Sequence, residues 1–263
     1  MTKLYDRLFA HRVFRVEQVE SLVPEWTPQT VRQRLKDLVR EGRVGRVGSG
    51  VYFVVLPGER PEATAVDPYL VGSRLAPDSI LAYHTSLELL GTAYSATRVV
   101  YYLSARYRKS LSWRGVTYRQ VTPPRALSRR KAERLGVVTQ ERDGLEVSHT
   151  GRARTFVDCL DRLDLAGGVE ELFRSVEAWP TVDPQEVLHY LKALNKVSVY
   201  AKVGYVLEYF SKPWGLTPSD LAPLRRHLPR AAVYLESRQK PGRFVSDWNL
   251  MVPADLKFLT AVE

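Results

Sequence analysis

Cysteine is almost missing from this chain of 263 residues: Cys159 stands alone. An internal disulfide and a cysteine-rich zinc site are therefore excluded, and such usage fits a reducing cytoplasm, the expected location. No apolar run approaches the ~20 residues that a membrane span needs, so no membrane partner is expected. The N-terminal stretch MTKLYDRLFAHRVFRV carries charge throughout and lacks the apolar centre of a signal peptide. Five histidines, His11, His84, His149, His189 and His227, are scattered, and none makes the HxxxH or HxH pair of a metal site. No GxGxxG or GxxxxGK[ST] phosphate loop and no GxSxG elbow occurs. The expectation is a protein without catalytic, cofactor or metal site.

Acidic residues are also in deficit, 29 against 39 lysines and arginines, giving a net charge of +10. Such an excess points to a polyanionic partner. Its placement is uneven. Residues 98–134 hold eleven basic side chains and one acid, Glu133, so this segment alone equals the whole excess. Arg106, Arg108, Lys109, Arg114, Arg129, Arg130 and Lys131 are its candidate basic surface.

The most informative stretch is EWTPQTVRQRLKDLVREGRVGRVGSGVYFVV, from Glu25 to Val55. Thr27 suits a helix N-cap and Pro28 the first helical position, which needs no N–H. Val31, Leu35, Leu38 and Val39 recur at helical spacing, and Gly42 ends the helix. Two β-rich runs, Arg43–Val47 and Val51–Val55, flank Gly48-Ser49-Gly50 as a hairpin. Preceded by helices around Leu4–Phe9 and Val16–Val23, this pattern predicts a winged helix-turn-helix. Gln29, Arg32 and Gln33 then face base edges, where amide and guanidinium groups make bidentate contacts. Thr30, Lys36, Arg40, Arg43, Arg46 and Ser49 are assigned to phosphate or to the wing. A solvated charged face is the plainer alternative.

The remainder predicts an α+β arrangement. Residues 1–57 form the N-terminal domain, 58–74 a linker rich in proline and glycine, and 75–263 a larger mixed domain. Within the last, Pro77–Leu90 reads as a helix stopped by Gly91, and residues 97–105 and 115–122 read as strands. The loop between these strands interleaves arginines with Tyr107 and Trp113. It either lays guanidinium groups along a nucleic-acid backbone while rings stack on bases, or is simply a soluble loop beside half-buried Tyr101, Tyr102 and Tyr118. A hairpin around Asp143-Gly144 follows, then helices broken at Gly167-Gly168. Two strand-like runs, AAVYLES and GRFVSDWNLMV, close the chain.

Asp158, Asp161 and Asp164 share a helical face, as metal-binding carboxylates would. Arg154 and Arg162 at helical spacing make an ion-paired surface the cheaper account, with Asp158 buried against Arg152 or Arg154. Cys159 reads as a packed small hydrophobe and His84 as a core or capping residue.

The order of several segments resembles the AbiEi family, the antitoxins of type IV toxin–antitoxin systems. SILAYHTSLELLG (79–91), VSHTGRARTFVDC (147–159), AGGVEE (166–171), AKVGYVL (201–207) and WNLMVP (248–253) occur in the family's order. Arg154, Thr155 and Asp158 match its Arg-Thr-x-x-Asp-Cys motif. At Thr150-Gly151 the chain departs from it, having HTGRA where the family has a Pro or Glu. The resemblance implies an autorepressor that binds promoter inverted repeats in double-stranded DNA, with room for a dimer there. It also implies a C-terminal domain that counteracts a cognate nucleotidyltransferase toxin of an abortive-infection system. The toxin itself needs Gly-Ser followed by a carboxylate pair, and after Gly72-Ser73 only Asp78 stands. Two alternatives stay open: a solitary winged-helix regulator, and a nucleic-acid-processing enzyme using Asp158, Asp161, Glu170 and Glu171.

Overall fold

Apolar stripes at helical spacing alternate with β-branched runs along the chain, and the computed structural model shows them as a mixed α+β fold. It describes residues 4–236, 241–254 and 256, which hold three sheets. The chain forms two units. The first takes Met1–Leu81, Arg98–Thr122 and Thr139–His149, the second Ala82–Thr97, Pro123–Val138 and Thr150–Glu263.

The first unit begins with α1 (Leu4–Leu8), a 3-10 turn, β1 (Val13–Arg15), α2 (Val16–Leu22), α3 (Pro28–Arg40), β2 (Val44–Gly48) and β3 (Val51–Val54). The three strands make an antiparallel sheet in the order β1-β3-β2, with Val13 opposite Phe53 and Arg46 opposite Tyr52. Leu4, Leu8, Phe14, Val19, Leu35 and Leu38 pack with Val44 and Val54 into one core. Each such side chain stabilises the fold by roughly 1.5–3 kcal/mol through burial.

Residues 58–74, read from sequence as a linker, contain α4 (Pro68–Arg74). Asp67 caps it, accepting hydrogen bonds from the amides of Tyr69 at 2.7 Å and Leu70 at 3.3 Å. Its Leu70, Val71 and Gly72 are buried. Proline opens this helix at its first position and does not break it, which is why composition alone suggested a loop. Arg15, itself buried, donates from Nη1 to the carbonyls of Arg74 and Leu75, both at 2.9 Å. From Asp67 on the segment is thus packed framework, whereas residues 57–60, 62 and 63 are exposed.

The rest of the unit is most of a six-stranded sheet. Its strands are β4 (Ile80–Leu81), β5 (Val99–Leu103), β6 (Leu111–Trp113), β7 (Val116–Val121), β8 (Val137–Arg142) and β9 (Leu145–Thr150), in the order β6-β7-β5-β4-β9-β8. β4 runs antiparallel to β5 and parallel to β9. The expected helix over Pro77–Leu90 is therefore only half right. Ile80 and Leu81 are a buried strand paired on both sides, and Tyr83 at φ 58° separates it from the helix that follows. A short, fully buried apolar run has no periodicity that distinguishes strand from helix.

The second unit holds that helix, α5 (His84–Leu89), with Gly91 at φ 73° just beyond it. It continues with α6 (Arg125–Arg129), α7 (Arg152–Asp161), α8 (Val169–Glu177), α9 (Pro184–Leu194), α10 (Val197–Tyr209), α11 (Ser211–Trp214) and α12 (Pro218–Arg225). The break expected at Gly167-Gly168 is present, both residues having positive φ. Phe156, Trp179, Phe210 and Trp214 form an aromatic cluster with centroids 4.8–6.5 Å apart. The terminal runs form β10 (Val233–Tyr234), β11 (Gly242–Val245) and β12 (Leu250–Pro253), in the order β10-β12-β11. A 3-10 turn at Ser246–Trp248 divides what the sequence suggested was one strand. Ser237, the last residue of the first run, lies outside the described residues.

Candidate nucleic-acid interface

Local chemistry sets α3 in place. The Thr27 hydroxyl accepts from the Thr30 amide at 3.1 Å, and Pro28 fills the first position. Val31, Leu35 and Leu38 turn inward, leaving Gln29, Thr30, Arg32, Gln33, Lys36 and Arg40 exposed on the other faces. Val39, expected on the apolar face, is 36% exposed, because it sits at the edge of the stripe defined by the other three.

The exposed residues are not equally free. Among the described residues, Gln29, Arg32, Lys36 and Arg46 have no side-chain partner. Asp37 holds Arg40 at 3.1 Å and accepts from Gln33 Nε2 at 3.4 Å. Thr30 shares its hydroxyl with Thr27 at 2.8 Å, so its first task is the cap. Arg43 lies 3.5 Å from Glu41 and over the Tyr5 ring. Between β2 and β3, Gly48, Ser49 and Gly50 all have positive φ, which turns the chain tightly and leaves Ser49 exposed.

The basic segment is divided. Arg106, Arg108, Lys109 and Arg114 belong to the first unit, Arg129, Arg130 and Lys131 to the second. Arg106, Lys109, Arg129, Arg130 and Lys131 are exposed, and Arg108 is half-buried. Tyr107 is 81% exposed. Arg114 proves to be structural. It donates to the carbonyls of Thr64, at 2.5 Å, and Pro61, and its guanidinium lies over Phe53 and Trp113. Trp113 packs against Phe53 at 5.6 Å and is no free stacking platform. Tyr101, Tyr102 and Tyr118 are buried sheet residues.

The Arg154, Thr155 and Asp158 motif lies inside the second unit, all three residues at most 2% exposed. Arg154 Nε meets Asp158 Oδ2 at 3.2 Å, and the Tyr190 hydroxyl donates to Oδ1 at 2.6 Å. Arg154 Nη1 donates to the carbonyls of Glu133 and Leu135 at 2.6 and 2.7 Å. Of the two arginines considered for Asp158, Arg154 is the partner. Arg152 instead donates to the Thr181 carbonyl at 3.2 Å. Thr155 bonds Thr150 at 2.7 Å. A cleft of ≈ 430 Å³ opens beside this network at the start of α7, between Gly136, Gly151, Gln185 and His189.

The other carboxylates point to separate partners: Asp161 to Lys196 at 2.5 Å and Asp164 to Arg162 at 2.7 Å. Glu171 accepts from the Ser95 hydroxyl at 2.6 Å and the Ser175 hydroxyl at 3.1 Å, and lies 3.1 Å from His84 Nε2. Burial opposes its ionisation. The Ser95 hydroxyl and amide, His84 and Ser175 outweigh that and hold its carboxyl below the usual value. Burial pushes the Cys159 thiol well up, which makes it a poor nucleophile. Among the described residues no three His, Cys, Asp or Glu side chains gather as a metal site. Sequence reasoning missed the role of Arg15 and the gathering of the Glu171 cluster, where decisive partners lie about 60 to 90 residues away along the chain.

The fold and this interface define a mixed α+β protein with an exposed, cationic helix and hairpin at its N-terminal end. Its fold is similar to the crystal structure of the RV2827C protein from Mycobacterium tuberculosis, with a TM-score of 0.55 over 95% of this chain and 90% of that one. The two are 16% identical, so the likeness concerns the fold. No family model and no curated protein matches the chain.

Proposed function

We propose that this protein is a winged helix-turn-helix DNA-binding autorepressor acting as the antitoxin of a type IV toxin–antitoxin system. The observation that carries the DNA reading is the outer face of α3. Gln29, Arg32 and Lys36 stand on a rigid, capped helix, exposed and without side-chain partners among the described residues. Unpaired amide and guanidinium groups near the start of such a helix suit base edges, and a lysine one turn later suits phosphate. The glycine-rich turn between β2 and β3, with Arg46 on its rim, is the wing.

The antitoxin role rests on the resemblance of five segments to those of the AbiEi family. In this reading the C-terminal part counteracts a nucleotidyltransferase toxin, and promoter inverted repeats seat two copies of the chain. The buried Arg154–Asp158–Tyr190 network is then the frame of that part, not a contact surface.

The test is a gel-shift titration of the full chain against its own upstream region and against random DNA, repeated across salt concentrations. Specific affinity at least ~10³-fold above random DNA, falling steeply with salt, is the expected result. Equal affinity for both would sink the repressor. Co-expression with the neighbouring gene's product, scored by growth, tests the antitoxin role separately.

A further inference from the structure

One part of the basic segment stands beside the hairpin turn. β6 packs behind it. Trp113 lies against Phe53, Arg114 covers both rings, and a Cβ added at Gly48 would lie 3.3 Å from Leu111 Cδ1. The residues that lead into Leu111 are Arg106, Tyr107, Arg108, Lys109 and Ser110. The same turn abuts the start of α2: a Cβ at Gly50 would lie 3.8 Å from Val16 Cγ1, and the Val16 amide donates to the Gly50 carbonyl at 3.1 Å. The charge of Arg108 reaches this corner too, since it is among the groups that lower the Glu17 carboxyl against the opposing effect of burial.

The root of the loop is held firmly. Asp78 accepts from the Ser104 hydroxyl at 2.7 Å and from the Ala105 amide at 2.8 Å. The Ser104 hydroxyl accepts from the Arg106 amide at 3.1 Å, and Gln120 Nε2 donates to the Ser104 carbonyl at 2.7 Å. A loop anchored in this way presents its charges with less ordering cost than a free one.

We infer that the Arg106–Lys109 loop is a second wing: a duplex-DNA contact that grips the phosphate backbone beyond the base pairs met by α3. It rests on the DNA-binding reading above. Arg106, Arg108 and Lys109 supply the charge, and the open Tyr107 hydroxyl donates to a phosphate oxygen. No base is read by these groups, so the loop adds affinity and footprint length without adding sequence preference.

The experiment compares the full-length R106A/R108A/K109A variant with an R129A/R130A/K131A variant that removes equal charge from the second unit, and with Lys36→Ala. Unchanged far-UV circular dichroism certifies each fold, which these exposed or half-exposed positions permit. The expected result for the loop variant is equal loss of affinity on operator and random DNA and a salt slope lower by ~2–3. Its hydroxyl-radical footprint shortens at the flank. Wild-type affinity and footprint in the loop variant would overturn the second wing. Equal losses in the R129A/R130A/K131A variant would also overturn it, as general charge would then suffice. If Lys36→Ala binds as wild type while the loop variant fails, the loop contact stands and the α3 reading falls. Binding of single-stranded DNA in preference to duplex would overturn both.

Discussion

Arg32 and Lys36 stand one helical turn apart with no partners of their own among the described residues, yet they should behave differently. Arg32→Ala is expected to cost about 1–3 kcal/mol on the operator and to relax preference at one or two base pairs. Lys36→Ala should weaken every sequence alike and lower the salt slope by about one. Selection from randomised operators reads the first effect, and salt titration the second. Deeper in the chain, Asp158→Asn leaves the Arg154 guanidinium without its counter-ion in a dry site. The expected cost is about 3–5 kcal/mol of stability by urea unfolding, with operator affinity of the folded protein unchanged. Glu171 sets a pH limit. Its folded-state value is depressed, so its stabilisation is complete above the unfolded value of ~4.3 and lost as pH falls through the lower folded one. Glu171→Gln should flatten the acid limb of a stability–pH curve in that range. The Asp158 pairing was legible because Arg154 lies four residues before it on one helix. Arg114 was not: its acceptors are carbonyls about fifty residues earlier, which no spacing rule reaches.

Among the elements, α3 was the most legible, since its cap, apolar stripe and glycine stop are all local. The hairpin behind it hides a constraint. A Cβ at Gly45 would fall 2.0 Å from Phe53 Cζ, so the ring occupies the space a side chain would need. Gly45→Ala should therefore push Phe53 off Trp113 and destabilise the protein by about 1–3 kcal/mol, measured by thermal melting. On the DNA-binding reading, operator affinity should fall with it, since Phe53 lies on β3, the strand that leaves the turn. The strand at Ile80-Leu81 shows the opposite case. Its identity comes from β5 and β9 on either side, and neither partner is visible in a four-residue apolar window.

For the molecule, the boundary at residue 57 drawn from composition follows a change in local sequence, whereas the first unit continues through α4 and most of the six-stranded sheet. Phe53, only 3% exposed, and the buried Arg15 depend on residues beyond that point. A fragment of residues 1–57 should melt at a lower temperature than the first unit does in the full chain. Hydrogen exchange at the β3 amides is the direct readout: protection equal to that of the full chain would show that the later segments lend nothing.

That dependence has a consequence during synthesis. The helix and hairpin proposed to meet DNA leave the ribosome early, but the tryptophan that covers Phe53 follows ~60 residues later, roughly 3–12 s at ordinary elongation speeds of about 5–20 residues per second. Through that interval the nascent chain shows water an aromatic ring and an arginine that its finished form conceals. A ribosome paused between codons 57 and 113 would hold a sticky intermediate with an unsupported hairpin. Translation rate, as much as sequence, then decides how much of this protein reaches its finished fold.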